Sequence, residues 1–419
     1  MRLKVRVHTI VLAAGRGTRM WPLCTRTPKP LLPIAGKPSL RRLLEALPKQ
    51  VTSATIVLPR GDRAIRKAAA SWKLRVKLSF VEQRQARGTG DAVAAVARRA
   101  KQDCLLLMAD ALVSAATLQQ LATASGFVVA AAKVADGSKY GVLEVAGKKV
   151  KALREKPRGV KAARVNTGCY RVPAAALAET LRLKPSPRGE LEFTDVVRAW
   201  AKRGLVTWLA AEGWLDVGAP WDLLAAQEAV LPADLDGLLG SDKVGGPGVV
   251  EDGVQLRGRL FAEVGAVVKA GTYVEGDVWV GAGAKVGPNA YLRGPVTIGA
   301  RCKVGAACEV KASVLLEGAQ VTHLSYVGDS VLGEGCNLGA GTILANVRHD
   351  GADVTVRTQK GRLPTGCRKL GAIVGDGAKT GVNCSLNPGT ILAPAELLPA
   401  GSVAKGTPSL AAAVPMKAR

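Results

Sequence analysis

Residues 10–33 read IVLAAGRGTRMWPLCTRTPKPLLP. An apolar, β-branched run from Val5 to Leu12 stops abruptly at Ala13-Ala14-Gly15-Arg16-Gly17-Thr18-Arg19, and Pro28-Lys29-Pro30 follows. Small residues after a strand let backbone N–H groups approach a polyphosphate, and flanking cations answer its charge. The stretch is not a Walker loop, because no Gly-Lys-Ser/Thr closes it, and it lacks the third glycine that opens a helix in the dinucleotide fingerprint.

The rest of the front half alternates apolar strands with Ala/Leu/Arg-rich helices, as at 101–109 and after, which predicts a largely parallel α/β sheet. A chain of 419 residues is too long for one ordinary core, so two domains are expected, at 1–230 and 249–419. The polar, glycine-rich segment 231–248 reads as the linker between them.

No run of about 18 apolar residues appears and the N-terminus has no signal-peptide h-region, so a cytoplasmic protein without membrane contact is expected. Eight cysteines lie scattered with no Cys-x-x-Cys pair, which argues against both a zinc site and a disulfide framework. Of the formal net charge of +26, residues 1–230 hold 40 Lys+Arg against 17 Asp+Glu, whereas 231–419 hold 19 against 16. A nucleotide site uses only a few cations, so most of this charge is solvated surface, and both steering of anionic substrates and loose nucleic-acid association are open to it. Aromatic content is 4% and arginine-aromatic interleaving is missing, which speaks against a nucleic-acid partner.

From Val268 an aliphatic residue recurs every six positions, through Val274, Val280, Val286, Leu292, Ile298, Val304 and Val310 to Leu316. The pattern resumes at Leu332, Leu338 and Leu344, and again at Val374, Leu386 and Leu392. A helix repeats apolar positions every three or four residues and a plain strand every two. A period of six with small residues between predicts a hexapeptide solenoid, in which three short strands close one coil. The known hexapeptide proteins coil left-handed and usually trimerise, which the period alone does not show. The interruptions at 317–331 and 346–370 are expected to be loops leaving the coils, where chemistry commonly sits.

Taken together, residues 10–33 resemble the signature of sugar-1-phosphate nucleotidyltransferases. The fold this implies is α/β: a Rossmann-like nucleotidyltransferase domain followed by a left-handed parallel β-helix of hexapeptide repeats. The resemblance implies that Leu12, Ala14 and Gly15 line the nucleotide, and that Arg19 and Lys29 are catalytic cations facing the triphosphate and sugar phosphate. It also puts Mg²⁺ between Asp110, at the end of the strand Leu105-Leu106-Leu107-Met108-Ala109, and Asp216. Gln83, Gly88 and Thr89 would read a pyrimidine, favouring UTP or dTTP; on its own, Gly88-Thr89-Gly90-Asp91-Ala92 is a helix start with Thr89 capping. Gly141, Glu155, Lys156 and Asn166 would hold the sugar phosphate. Two departures stand out: Ala109 where the family usually has glycine, and Cys24 where it commonly has threonine.

The segment His323-Leu324-Ser325-Tyr326-Val327-Gly328-Asp329, then Asn337-Leu338-Gly339-Ala340-Gly341-Thr342 and Asn346, resembles the acetyltransferase half of the bifunctional glucosamine-1-phosphate acetyltransferase/N-acetylglucosamine-1-phosphate uridyltransferase family. The long 346–370 stretch looks more like archaeal members. This resemblance makes His323 the general base and Asn346 its catalytic partner, with Arg293, Lys311, Tyr326 and Asn337 at the sugar phosphate. Ala340 and Lys369 would lie near acetyl-CoA. The function implied is acetylation of an amino-sugar phosphate, gluco or galacto, together with its activation to a nucleotide-sugar by a homotrimer. The alternative is a single-function thymidylyl- or uridylyltransferase with a structural solenoid. Non-catalytic regulatory relatives tend to lose Arg19, Lys29, Asp110 and Asp216, all of which are present.

Overall fold

The computed structural model describes residues 7–358 and 361–409; Val5, where the apolar run opens, lies outside them. Contacts divide the chain into two units. The first holds the chain up to Arg16, Pro28–Leu31 and Pro38–Asp216; the second holds Gly17–Thr27, Leu32–Lys37 and the chain from Val217 onward.

The first unit is built on nine strands. They are β1 (Val7–Leu12), β2 (Val51–Pro59), β3 (Lys77–Gln83), β4 (Cys104–Met108), β5 (Phe127–Asp136), β6 (Gly141–Ala146), β7 (Lys149–Glu155), β8 (Lys161–Val172) and β9 (Val206–Ala210). Their order across the sheet is β3-β2-β1-β4-β8-β5-β9-β7-β6. The β3-β2-β1-β4 half is parallel, as the alternation of strands and helices predicts. The other half is mixed: β8 runs antiparallel to both β4 and β5, β6 and β7 form an antiparallel pair, and β9 runs parallel to β5. The correction has a local cause, since β6 and β7 are joined by the short turn at Gly147, too short for a parallel crossover.

Both faces of the sheet are buried, which explains why β1 reads as a continuous apolar run. Ile10 and Leu12 face one layer with Val93, Val96 and Trp200, while Val11 faces the other with Leu43, Leu44 and Leu118. The strand order reverses at β1, so the C-terminal ends of β1 and β4 open on the crevice where such sheets hold ligands. There the Ala109 N–H donates to the Leu12 carbonyl at 3.1 Å and the Ala13 N–H to that of Val57 at 2.9 Å.

In the second unit each short strand pairs in parallel with its counterpart one coil on. One ladder runs Val268, Val286, Val304, Val321, Leu338. A second runs Val274, Leu292, Val310, Val327, Leu344, Leu386. The third runs Val280, Ile298, Leu315, Leu332, Val374, Leu392. All three rows meet in one buried aliphatic column.

The expected loop at 317–331 is absent. The coil instead loses one residue at a corner, where Ala312 turns through a φ of 43° after Lys311, while the coil before it uses Gly294-Pro295 after Arg293. Leu315 therefore stacks on Ile298, one place before the Leu316 that the sixfold count picks. The strands Gln320–His323, Tyr326–Gly328 and Val331–Leu332 continue the coils. The second interruption does leave them: Val354–Thr358 and Gly361–Cys367 form an antiparallel hairpin, and Val331 then pairs with Ile373.

The segment read as a linker is helical over its first part, within the helix Asp222–Leu239, and carries Pro232 inside that helix. Its Leu231, Leu235 and Leu239 pack with Ala35 and Trp279. Among the described residues no helix is long and apolar enough to cross a membrane, and none of the eight cysteines forms a disulfide.

Leu338 is 1% exposed in the column. Leu338→Ala is expected to lower the urea-unfolding stability of the second unit by about 2–5 kcal/mol, the cost of an uncollapsed cavity. A loss below about 1 kcal/mol would mean that the column is loosely packed.

Candidate active sites

At the crevice of the first unit Lys29 Nζ lies 2.5 Å from Asp110 Oδ2, with side chains 10% and 29% exposed. The Ser39 hydroxyl donates to the Pro30 carbonyl at 3.1 Å and reaches that of Ala109 at 3.4 Å, joining the Pro-Lys-Pro element to the strand end that carries Asp110. Leu215-Asp216 pairs antiparallel with Ala111-Leu112, with Asp216 opposite Ala111. Of the two aspartates expected to hold metal, Asp216 is thus on one of these paired strands and Asp110 in the turn that leads into the other. Carboxylates are hard donors of the kind that a divalent cation such as Mg²⁺ takes, and among the described residues no group of three or more His, Cys, Asp or Glu is placed to hold a metal. Leu12 and Ala14 are buried at the end of β1, whereas Gly15 is exposed and its Cβ position is open space. Arg19 is exposed on the turn Thr18–Met20, which belongs to the second unit.

Gln83 is buried at the end of β3, its amide nitrogen donating to the Gly88 carbonyl at 3.1 Å and to Asp91 Oδ2 at 2.8 Å. Its donors are spent on these partners, which leaves the carbonyl oxygen as the group able to accept a hydrogen bond. Gly88 has a φ of 117°, and a Cβ there would fall 2.5 Å from the Leu191 carbonyl oxygen. Thr89 does not cap its own helix; its hydroxyl accepts from the Phe193 N–H at 3.1 Å, the first amide of the helix Phe193–Lys202.

Of the sugar-side residues, Gly141, Glu155 and Lys156 lie at the β6–β7 pair, where Gly141 stands opposite Glu155, and Asn166 lies on β8. Glu155 Oε2 is buried without a hydrogen-bond partner among the described residues, 3.0 Å from where a Cβ at Gly141 would lie. A buried carboxylate oxygen left unpaired is costly. Glu155 Oε1 is 3.4 Å from Arg188, a residue that sequence reasoning missed because it sits 33 positions away. Lys156 follows with a φ of 46° and its N–H on the Tyr140 carbonyl at 2.9 Å. Asn166 is occupied within the chain, donating to Tyr170 Oη at 2.7 Å and accepting the Gly168 N–H at 3.1 Å.

In the second unit the ladders stack Arg293 on Lys311, and Tyr326 on Glu309. Arg293 binds Glu309 at 2.9 Å and lies over the Tyr291 ring. Lys311 Nζ is 2.7 Å from Asp329 Oδ2, with side chains 18% and 14% exposed, and the same oxygen accepts from Asn346 Nδ2. Asp329 thus joins two of the expected residues, and no spacing in the sequence marks it for that role. Burial, with Glu309 and Asp329 nearby, raises the Tyr326 hydroxyl above its usual range. A Cβ at Gly328 would fall 2.5 Å from Tyr326 Oη and 2.8 Å from Asn346 Nδ2, so only glycine leaves these two side chains room.

His323 is exposed at the end of its strand. Ala340 accepts the Asn383 N–H at 2.7 Å, and Gly341, next to it, donates to the His323 carbonyl at 3.2 Å. Asn337 pairs with Gln320, and Lys369 is exposed, bridged to Val347 beside Asn346.

Asp329→Ala removes the acceptor of two donors, and about 1–3 kcal/mol of stability is expected to go with it. Asp329→Asn, which keeps an oxygen, is expected to cost less, and equal denaturation midpoints for the two variants would deny the clamp.

A nucleotidyl transferase family model matches residues 8–232, and a GMPPB C-terminal domain model matches 274–396. A Methanococcus maripaludis protein named bifunctional protein GlmU is 41% identical over 91% of this chain and 91% of its own length. The protein of that name from Methanocaldococcus jannaschii is 35% identical over the same shares of both chains. A Sulfurisphaera tokodaii protein, named bifunctional sugar-1-phosphate nucleotidylyltransferase/acetyltransferase, is 34% identical over 91% of this chain and 93% of its own.

Proposed function

The chain belongs to the family of bifunctional sugar-1-phosphate nucleotidylyltransferases/acetyltransferases, and from that premise we propose how its residues divide two reactions. It is a bifunctional enzyme. One reaction moves a uridylyl or thymidylyl group from UTP or dTTP to a sugar-1-phosphate. The other moves the acetyl group of acetyl-CoA to the amine of glucosamine-1-phosphate, or of its galacto epimer.

In nucleotidyl transfer a phosphate oxygen of the sugar-1-phosphate attacks the α-phosphorus in line and pyrophosphate leaves. Lys29 and Arg19 offset the negative charge of the two phosphates as they meet. Gln83 accepts the pyrimidine N3–H, and the Glu155 oxygen without a partner takes a sugar hydroxyl. Asp110 and Asp216 would hold a divalent cation, Mg²⁺, which supplies charge neutralisation at the phosphates when bound. The observation that supports this reading is the pairing of Asp216 with Ala111, the residue after Asp110, together with the contact of Lys29 on Asp110.

In acetyl transfer His323 takes the proton from the amine, which attacks the thioester carbonyl, and the coenzyme A thiolate leaves. Arg293 and Lys311 hold the sugar phosphate, with Tyr326 and Asn337 beside them. Asn346, oriented by Asp329, supports the reacting amine. Ala340 and Lys369 lie on the acetyl-CoA side. The parallel ladders support the reading of a left-handed β-helix, and that scaffold, in the cytoplasm, would assemble as a trimer.

Two variants separate the reactions. Asp110→Asn is expected to reduce pyrophosphate release by about 10²-fold or more while leaving thiol release from acetyl-CoA intact. His323→Ala is expected to do the reverse, by about 10²–10⁴-fold. Loss of both activities in His323→Ala would make the histidine structural.

A further inference from the structure

The segment Gly17–Thr27 carries Arg19, yet by its contacts it belongs with the coils of the second unit. One side chain fixes it there. Asp376 is 3% exposed, and its Oδ2 accepts both the Thr25 backbone N–H at 3.1 Å and the Thr25 hydroxyl at 2.6 Å. Its Oδ1 accepts the Glu334 N–H at 3.0 Å, so both oxygens are engaged. Hydrogen bonds to an ionised acceptor are the strong ones, and a carboxylate held at both oxygens has little freedom to move.

A second observation agrees. The Arg26 guanidinium lies across Gly335 and Gly377: a Cβ on either would sit 3.6 Å and 3.5 Å from its two terminal nitrogens. These glycines have φ of 63° and 71° and occupy the same corner of successive coils. A third contact holds the neighbouring segment Leu32–Lys37, where Ala35 packs on Trp279 and a Cβ at Gly36 would fall within 2.3 Å of the indole nitrogen. Between Arg19 and Thr25 the chain is a run of tight turns, Met20 N–H to Gly17, Trp21 N–H to Thr18 and Leu23 N–H to Met20, with Met20 and Leu23 buried. A shift at Thr25 is therefore passed to Arg19 rather than absorbed.

We propose that Asp376 is a positioning residue for nucleotidyl transfer, acting through Thr25 on the segment that carries Arg19. The inference rests on the role given to Arg19 above. It runs against the division of labour by sequence position, because Asp376 lies among the coils that carry the acetyltransferase residues. It does not lie at their site. Each coil has three corners: His323 stands at the one after its strand, Asp329 at the next, and Asp376 at the third, the corner that follows Val331–Leu332 and Ala372–Val374.

The test uses the full chain and reads both reactions in each variant, pyrophosphate release and thiol release. Asp376→Ala is expected to lower kcat for pyrophosphate release about tenfold or more, the cost of a misplaced charge, with thiol release within about twofold of the parent. Thr25→Val, which keeps the N–H but loses the hydroxyl, is expected to fall between parent and Asp376→Ala, and Thr25→Ser to restore the parent rate. Pyrophosphate release within about twofold of the parent in Asp376→Ala would overturn the proposal, as would an equal fall in both reactions, which marks a purely structural residue. A parent protein that releases no pyrophosphate from UTP or dTTP would overturn the underlying reading of the first reaction instead.

Discussion

Each inward aliphatic side chain of the second unit stands on its counterpart one coil away, and the backbone ladders around that column leave no freedom in the spacing. Strands in such a ladder lie about 4.8 Å apart, so residues at equivalent corners are held one above another. That constraint puts Arg293 over Lys311. The one-residue shortening at Ala312 then gives the coils from Lys311 onward a tighter corner, and Asp329 occupies that corner one coil later with a φ of 44°. From there its carboxylate meets Lys311 and Asn346. A rigid stack converts a corner side chain into a fixed one, which is what an acid–base site requires. The same rigidity makes the corner at Asp376 a firm anchor for Thr25.

The first unit solves a different problem, gathering charge where two anions must meet. Lys29 and Asp110 offset one another at the end of β4. Glu155 is held with one oxygen buried and unmatched. Unsatisfied groups of this kind lower stability, and they persist where a ligand completes them. Gln83 shows the opposite arrangement: Gly88 and Asp91 take up its donors, which leaves its acceptor oxygen.

Much of this is legible in the sequence, for identifiable reasons. The sixfold period follows from three inward positions per coil, so the column could be read residue by residue as far as Val310. It fails at Leu316, because a corner shortened at Ala312 leaves no local mark on composition, and Leu315 takes the position. The glycine loop and Pro28-Lys29-Pro30 are local motifs and could be read as such, whereas the contact of Lys29 with Asp110, 81 positions on, could not. The antiparallel β8 was not legible, since its partners are β4 and β5, which precede it in the chain. The polar segment after Leu231 reads as a linker by composition, but Leu231, Leu235 and Leu239 recur every four residues and bury a helix face. Asp329, Arg188 and Asp376 escape sequence reading for one reason: each acts through partners 17 to 351 positions away.

The central claim is that one chain carries two chemistries. The most direct measurement combines the protein with glucosamine-1-phosphate, acetyl-CoA, UTP and Mg²⁺, and follows thiol and pyrophosphate together. Thiol release that requires the amino-sugar phosphate, accompanied by pyrophosphate release, is the predicted result. Pyrophosphate release from UTP and a sugar-1-phosphate with no thiol released, from either glucosamine-1-phosphate or galactosamine-1-phosphate, would contradict it and leave the coils as scaffold.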